Sequence, residues 1–198
     1  MKNARKAFTM VELAIVLVII GLIMGAVLKG QELINNAKQK RLYSLKQEIS
    51  AAIMTYYDKY NAYPGDDPRA TIHLSDDNTK NGDGDGLIDG GFQFACADNS
   101  VESCALWEHL RLSNILSGSG VANPRTPYGG AASVAYGAVH DKYANWIAFD
   151  NLPEEVAMTI DEKYDDGKYD TGSIRASGNT DYNLNDTSDR IRDLYFEF

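Results

Sequence analysis

The densest run of side chains able to do chemistry is Asn81-Gly82-Asp83-Gly84-Asp85-Gly86-Leu87-Ile88-Asp89. Oxygen-bearing side chains at alternate positions around a glycine turn converge on one point, and calcium takes roughly six to eight hard oxygens. Counted from Asn81, the first, third and fifth ligand places fall on Asn81, Asp83 and Asp85, with Gly86 as the turn glycine. Leu87 offers a backbone carbonyl in the next place, and Asp89 stands ninth, the spacing of a calcium loop. The twelfth place holds Phe92 instead of the bidentate Glu, so Asp76, Asp77 or Asp98 is expected to complete the shell. Magnesium suits the loop less well, because it keeps several of its waters. The competing reading is a solvated Gly/Asp turn.

A second, weaker calcium candidate is Asp181, Asn183, Asn185 and Asp189, where Asp186 stands in the place of the turn glycine. Asp161, Asp165, Asp166 and Asp170 gather around Gly167, read more simply as a helix end followed by a turn. Cys96 and Cys104 are expected to pair in a translocated domain, stabilising it by roughly 2–3 kcal/mol on the chain-entropy account. Two free buried thiols are the alternative. A cysteine nucleophile would need His73, His109 or His140 as its base, but the sequence around them has no catalytic pattern, and a disulfide would remove the nucleophile. The reading is therefore not an enzyme.

The 198 residues carry a net charge of -9, against nucleic acid as main partner, since phosphate binding needs clustered Lys and Arg. The charge is unevenly placed. Lys2, Arg5 and Lys6 stand in the first seven residues without an acid, and the remainder holds 16 basic against 28 acidic residues, or -12.

Behind that basic start comes an apolar run from Phe8 to Leu28 whose one charge is Glu12. About twenty apolar residues at roughly 1.5 Å each span a bilayer core of about 30 Å. The positive flank keeps the N-terminus cytoplasmic and sends the body across. A carboxylate deep in such a segment costs roughly 2.5–3.5 kcal/mol and calls for a partner. Beyond Lys29, Leu42, Leu45, Ile49, Ile53, Tyr56 and Tyr60 recur every three or four residues, and no proline occurs before Pro64. One helix over residues 8–61 is predicted, on the order of 80 Å long. Tyr63-Pro64-Gly65-Asp66 stops it. Further helices are expected at 103–116 and 153–164, and strands at 145–149, 172–176 and 194–198. The fold class is α+β: a long helical stem packed on a small, mostly antiparallel sheet with long acidic loops.

Lys6-Ala7-Phe8-Thr9-Met10-Val11-Glu12-Leu13 resembles the cleavage and methylation signature of type IV pilins and type II secretion pseudopilins. The resemblance implies that prepilin peptidase cuts between Ala7 and Phe8, that Phe8 is then N-methylated, and that Glu12 directs assembly. Ala7 replaces the glycine usual before the cut. The implied organisation is a leader at 1–7, a membrane and filament-core half-stem at 8–28, an amphipathic half-stem at 29–61 and a head at 62–198.

The expected function is a structural subunit of a type IV pilus-like filament, self-assembling as a homo- or hetero-filament. It would sit in the inner membrane before meeting the assembly platform, then in a periplasmic or cell-surface filament. A pseudopilin of a type II secretion system is the first alternative. An anchored or secreted calcium-binding adhesin or enzyme is the second.

Overall fold

A computed structural model describes residues 9–178, 180–182 and 191–198. Helix α1 is Met10–Tyr60, α2 is Ala70–Leu74 and α3 is Glu102–Leu112. Strand β1 (Ala132–Val139) and strand β2 (Lys142–Pro153) follow, then α4 (Glu154–Tyr164), β3 (Ile174–Ala176) and β4 (Ile191–Glu197). The α+β layout is the expected one. The chain forms two compact units, the first ending at Lys40 and the second being Arg41–Phe198.

In the first unit the apolar run of α1 is exposed throughout, with none of its most hydrophobic window buried. In the second unit α1 turns one face inward. Leu42, Leu45, Ile49, Ile53 and Tyr56 share a core with Trp107 and Leu110 of α3, Ile147 and Phe149 of β2, and Leu194 and Phe196 of β4. Truncating a side chain such as Ile53, fully buried here, to Ala costs about 2–5 kcal/mol in typical cores. The helix stops at Tyr60, where Asn61 takes a left-handed conformation with φ 54° and donates its N–H to the Tyr57 carbonyl.

The four strands lie in the order β1-β2-β4-β3, each pair antiparallel. A two-residue turn, His140 and Asp141 with φ 46° and 63°, joins β1 to β2 and sets Val139 opposite Lys142. Between Phe149 and Leu152 the β2–β4 register shifts by one residue, a bulge in which Asn151 takes a left-handed conformation at φ 57°. The outer edge of β1 is occupied by loop carbonyls: Tyr136 N–H donates to Ile88 and Ala132 N–H to Pro124. At the other edge, β3 is three residues long and Ala176 N–H donates to the Tyr169 carbonyl.

Several elements differ from the sequence reading. The helix expected at 103–116 ends at Leu112, because Asn114 turns left-handed at φ 60°. The strand expected at 145–149 is more than twice as long, since it pairs with β1 on one side and β4 on the other. β3 begins at Ile174 instead of residue 172, and β4 begins at Ile191 instead of 194. Strand β1 and helix α2 were not anticipated.

Candidate functional site

The stem start and the acidic loop hold the residues singled out by chemistry. At the stem start, Thr9 and Glu12 close a reciprocal capping box. The Thr9 N–H and hydroxyl both donate to Glu12 Oε2 at 2.8 Å, and the Glu12 N–H returns to Thr9 Oγ1 at 3.2 Å. The box satisfies donors that the first helical turn would leave open. Ala7 and Phe8 lie outside the described residues.

The acidic loop is built against the chain just past the stem. Asp66, 2 % exposed, accepts the Gly84 N–H at 2.6 Å on one oxygen and the Gly86 N–H at 2.9 Å on the other. Its carboxylate converges with those of Asp83 and Asp85, one oxygen from each lying within 4.8 Å of the others. Burial pushes the Asp66 carboxyl above its usual range, against the pull of the two amides, and the charges of Asp85 and Asp83 add to the rise. Gly82 is required by contact: a Cβ there would run into the Asp66 backbone.

Glu102, at the start of α3, spans the same loop. Its Oε1 accepts the Asp83 N–H at 3.1 Å and its Oε2 the Asp89 N–H at 2.9 Å. Burial raises its pKa as well, with the two amides opposing. A cleft of about 390 Å³ opens here, lined by Gly65, Lys80, Asp83, Gly90, Val101 and Glu102 among others.

Of the five loop residues expected around one cation, the structure brings Asp83 and Asp85 together. Asn81 is turned away, its Oδ1 accepting the Thr71 N–H at 2.9 Å. Leu87 donates its N–H to Asp85 Oδ1 at 2.8 Å, and Asp89 stands outside the converging set. The carboxylate that joins them is Asp66, not Asp76, Asp77 or Asp98. Asp76 and Asp98 fold back on their own turns, accepting the N–H groups of Asn78 and Ser100. Three carboxylates are hard-oxygen donors of the kind calcium takes, and cover about half of its shell, leaving the rest to carbonyls or water.

The other candidates are placed as follows. Asp181 Oδ1 accepts the Tyr182 N–H, while Asn183, Asn185 and Asp189 lie outside the described residues. Asp161, Asp165 and Asp166 converge as a second carboxylate group, without Asp170. Asp161 accepts the Tyr182 hydroxyl at 2.9 Å and the Gly167 N–H at 3.2 Å, and burial pushes its pKa up to about 6. Cys96 and Cys104 are joined by a disulfide with their Cα atoms 5.5 Å apart. The histidines are held by other groups: His73 Nδ1–H donates to Asp67 at 2.7 Å, and His140 Nε2–H to the Ala176 carbonyl at 2.7 Å.

Asp66 and Glu102 were missed as loop residues. The signal for Asp66 was its place directly after the stem-breaking Pro64-Gly65, where the chain folds back toward the loop.

No curated protein and no solved structure matches the chain. Residues 2–28 match the prokaryotic N-terminal methylation motif. That stretch contains the basic start, Phe8, the Thr9–Glu12 box and the exposed apolar helix, which together fit a precursor anchored in the inner membrane. The chain thus carries the prepilin-type signal of type IV pilins and pseudopilins, which implies processing by prepilin peptidase and assembly into a filament.

Proposed function

We propose that the chain is a structural subunit of a type IV pilus-like filament. Prepilin peptidase cuts it between Ala7 and Phe8, Phe8 is N-methylated, and the stem then leaves the inner membrane to pack against stems of other subunits. The observation that carries this reading is the continuity of the methylation motif, residues 2–28, with an apolar helix that no part of the described fold covers. A stem already out of water in the bilayer gains little from the hydrophobic effect on assembly. The net gain comes from close packing and from pairing of polar groups. Glu12 is the polar group placed to pair, with the freed amine of a neighbouring Phe8 as its partner. The finished filament lies in the periplasm or on the cell surface.

The experiment is the mass of the N-terminal peptide from the processed protein in its native host. A peptide starting at Phe8 and heavier by one methyl group supports the reading. A start at Met1, or one beyond Ala26, overturns it and promotes an anchored or secreted calcium-binding protein.

We propose further that the head takes calcium at Asp66, Asp83 and Asp85. Support comes from the loop spacing and from the buried carboxylate brought in beside it. Calorimetry with calcium chloride on the full chain, with Asp83→Ala and Asp85→Ala beside it, tests this. Binding heat in the wild type that both variants lose is the expected result; the absence of heat reduces the loop to a turn.

A further inference from the structure

His109 belongs to neither group of residues described so far, yet it is fully buried on α3 and bonded at both ring nitrogens. Its Nδ1 accepts the Gly65 N–H at 3.0 Å, and its Nε2–H donates to the Lys80 carbonyl at 2.8 Å. A backbone N–H only donates and a carbonyl only accepts, so these two bonds fix one state: a neutral imidazole with its proton on Nε2. Gly65 is the residue before Asp66. Lys80 leads into the acidic loop that carries Asp83 and Asp85.

The ring is one rung of a ladder between those two stretches of chain. In the next rung the Gly82 N–H donates to the Asp67 carbonyl at 2.9 Å. The Asp66 carboxylate makes the last, to the N–H groups of Gly84 and Gly86. The backbone rung joins a half-buried Gly82 to the buried Asp67, and both of its partners belong to the two stretches themselves. His109 reaches both stretches from a third element, the buried face of α3, and is in that sense the anchor that gives them a fixed separation.

We propose that His109 is the positioning residue of the acidic loop, its neutral Nε2–H tautomer holding the chain that enters Asp66 against the chain that enters Asp83 and Asp85, so that the three carboxylates share one site. What this does for calcium rests on the reading of the loop proposed above; the tie itself does not.

The groups that face the ring are committed elsewhere. Tyr56 of α1, whose ring lies 6.1 Å away, donates its hydroxyl to Asp67. Asp67 also takes His73 and the Arg69 N–H. Glu108, the neighbour on α3, accepts from Thr79 and Asn99. A second ring proton would thus point at the Gly65 N–H and break that rung. Burial lowers the ring's pKa, opposed by the Lys80 bond and the charges of Asp67 and Glu108, so the tie opens only in acid.

The test uses the full-length chain in detergent micelles at neutral pH. Imidazole nitrogen shifts of the wild type are expected to show Nε2 protonated and Nδ1 bare; a proton on Nδ1 overturns the proposal, whatever any variant does. His109→Gln keeps one acceptor and one donor, whereas His109→Phe keeps neither. Amide exchange at Gly82, Gly84 and Gly86 is expected to rise about tenfold in His109→Phe and to stay near wild type in His109→Gln. Equal exchange in all three proteins, or equal loss in both variants, reduces His109 to core filling.

Calcium chloride titrations separate this inference from the one beneath it. If wild type binds and His109→Phe binds about tenfold more weakly while His109→Gln does not, positioning is supported. If His109→Phe binds as tightly as wild type, positioning falls and the calcium reading stands. If the wild type gives no heat, the calcium reading falls, and amide exchange alone decides for or against the tie.

Discussion

Thr9 and Glu12 solvate each other: one carboxylate oxygen takes both donors of a threonine three residues earlier, and the threonine hydroxyl caps the glutamate's own N–H. A carboxylate on an apolar helix is thereby given protein partners before any second subunit arrives. Carrying Glu12 into a membrane interface is correspondingly less costly than carrying a bare charge. If Glu12 directs assembly as proposed, a neighbouring subunit has to offer it something better than Thr9.

From this follows a separation of insertion from assembly. Glu12→Gln and Glu12→Ala are expected to leave the chain in the membrane fraction and to lower filament yield sharply. Cell fractionation and filament counts by electron microscopy read the two quantities independently. Normal filament yield in Glu12→Ala would take the assembly role away from this residue.

Thr9→Val removes the cap and leaves the helix otherwise intact. The loss of an N-cap is worth about 1 kcal/mol, or roughly a fivefold change in local opening. Amide exchange of Val11, Glu12 and Leu13 in micelles should quicken by about that factor. No change would mean that the box contributes nothing to the first turn.

Asp66→Ala removes the buried carboxylate that holds the N–H groups of exposed Gly84 and half-buried Gly86. Each hydrogen bond to a charged group contributes about 1.5–3 kcal/mol, so the urea midpoint should fall with an unchanged slope. Asp76→Ala, which disturbs an exposed turn at one side of the loop, serves as the comparison and should shift the midpoint far less. Equal shifts would show that Asp66 is no special anchor.

Asp161 predicts a pH dependence with a definite sign. Burial lifts its pKa from 3.8 to about 6 in the fold, so the folded head binds that proton more tightly than the unfolded chain does. The stability this group contributes is complete below the unfolded value and is lost as pH rises through about 6. Wild type should therefore lose melting temperature between about pH 4 and 7 more steeply than Asp161→Asn. Thermal unfolding followed by circular dichroism at a series of pH values checks it, and parallel profiles would contradict it.

The Cys96–Cys104 bond closes a short loop. On the chain-entropy account its removal costs about 2.5 kcal/mol. Replacing both cysteines with serine should lower the urea midpoint accordingly, and the same shift should appear when wild type is reduced.

The stem was legible because two simple signals agree along it: unbroken helical periodicity and a proline-free run up to Pro64. The apolar residues read from the pattern, Leu42 to Tyr56, are the ones the core takes up. Strand β1 was invisible for the opposite reason. Its sequence, Ala-Ser-Val-Ala-Tyr-Gly-Ala-Val, is rich in alanine and includes glycine, both weak strand formers. Pairing with β2 and the loop carbonyls along its edge make it a strand, and neither can be read locally. The acidic loop was legible in its spacing but not in its shell. Asp66 comes from a stretch that looked like punctuation after the stem, and Glu102 looked like an ordinary first-turn acid. Only the fold brings these carboxylates to one loop.

Both outer strands of the head sheet are partly closed off, β1 by the carbonyls of Ile88 and Pro124 and β3 by its brevity and the Tyr169 carbonyl. A filament crowds the heads of its subunits at very high local concentration, the condition under which open strand edges zip together into aggregates. Of the N–H groups that would begin such pairing, those of Ala132 and Tyr136 on β1 and of Ile174 and Ala176 on β3 already have partners. On the proposed filament reading, heads brought side by side meet few open strand amides, which leaves more of the contact between neighbours to side chains.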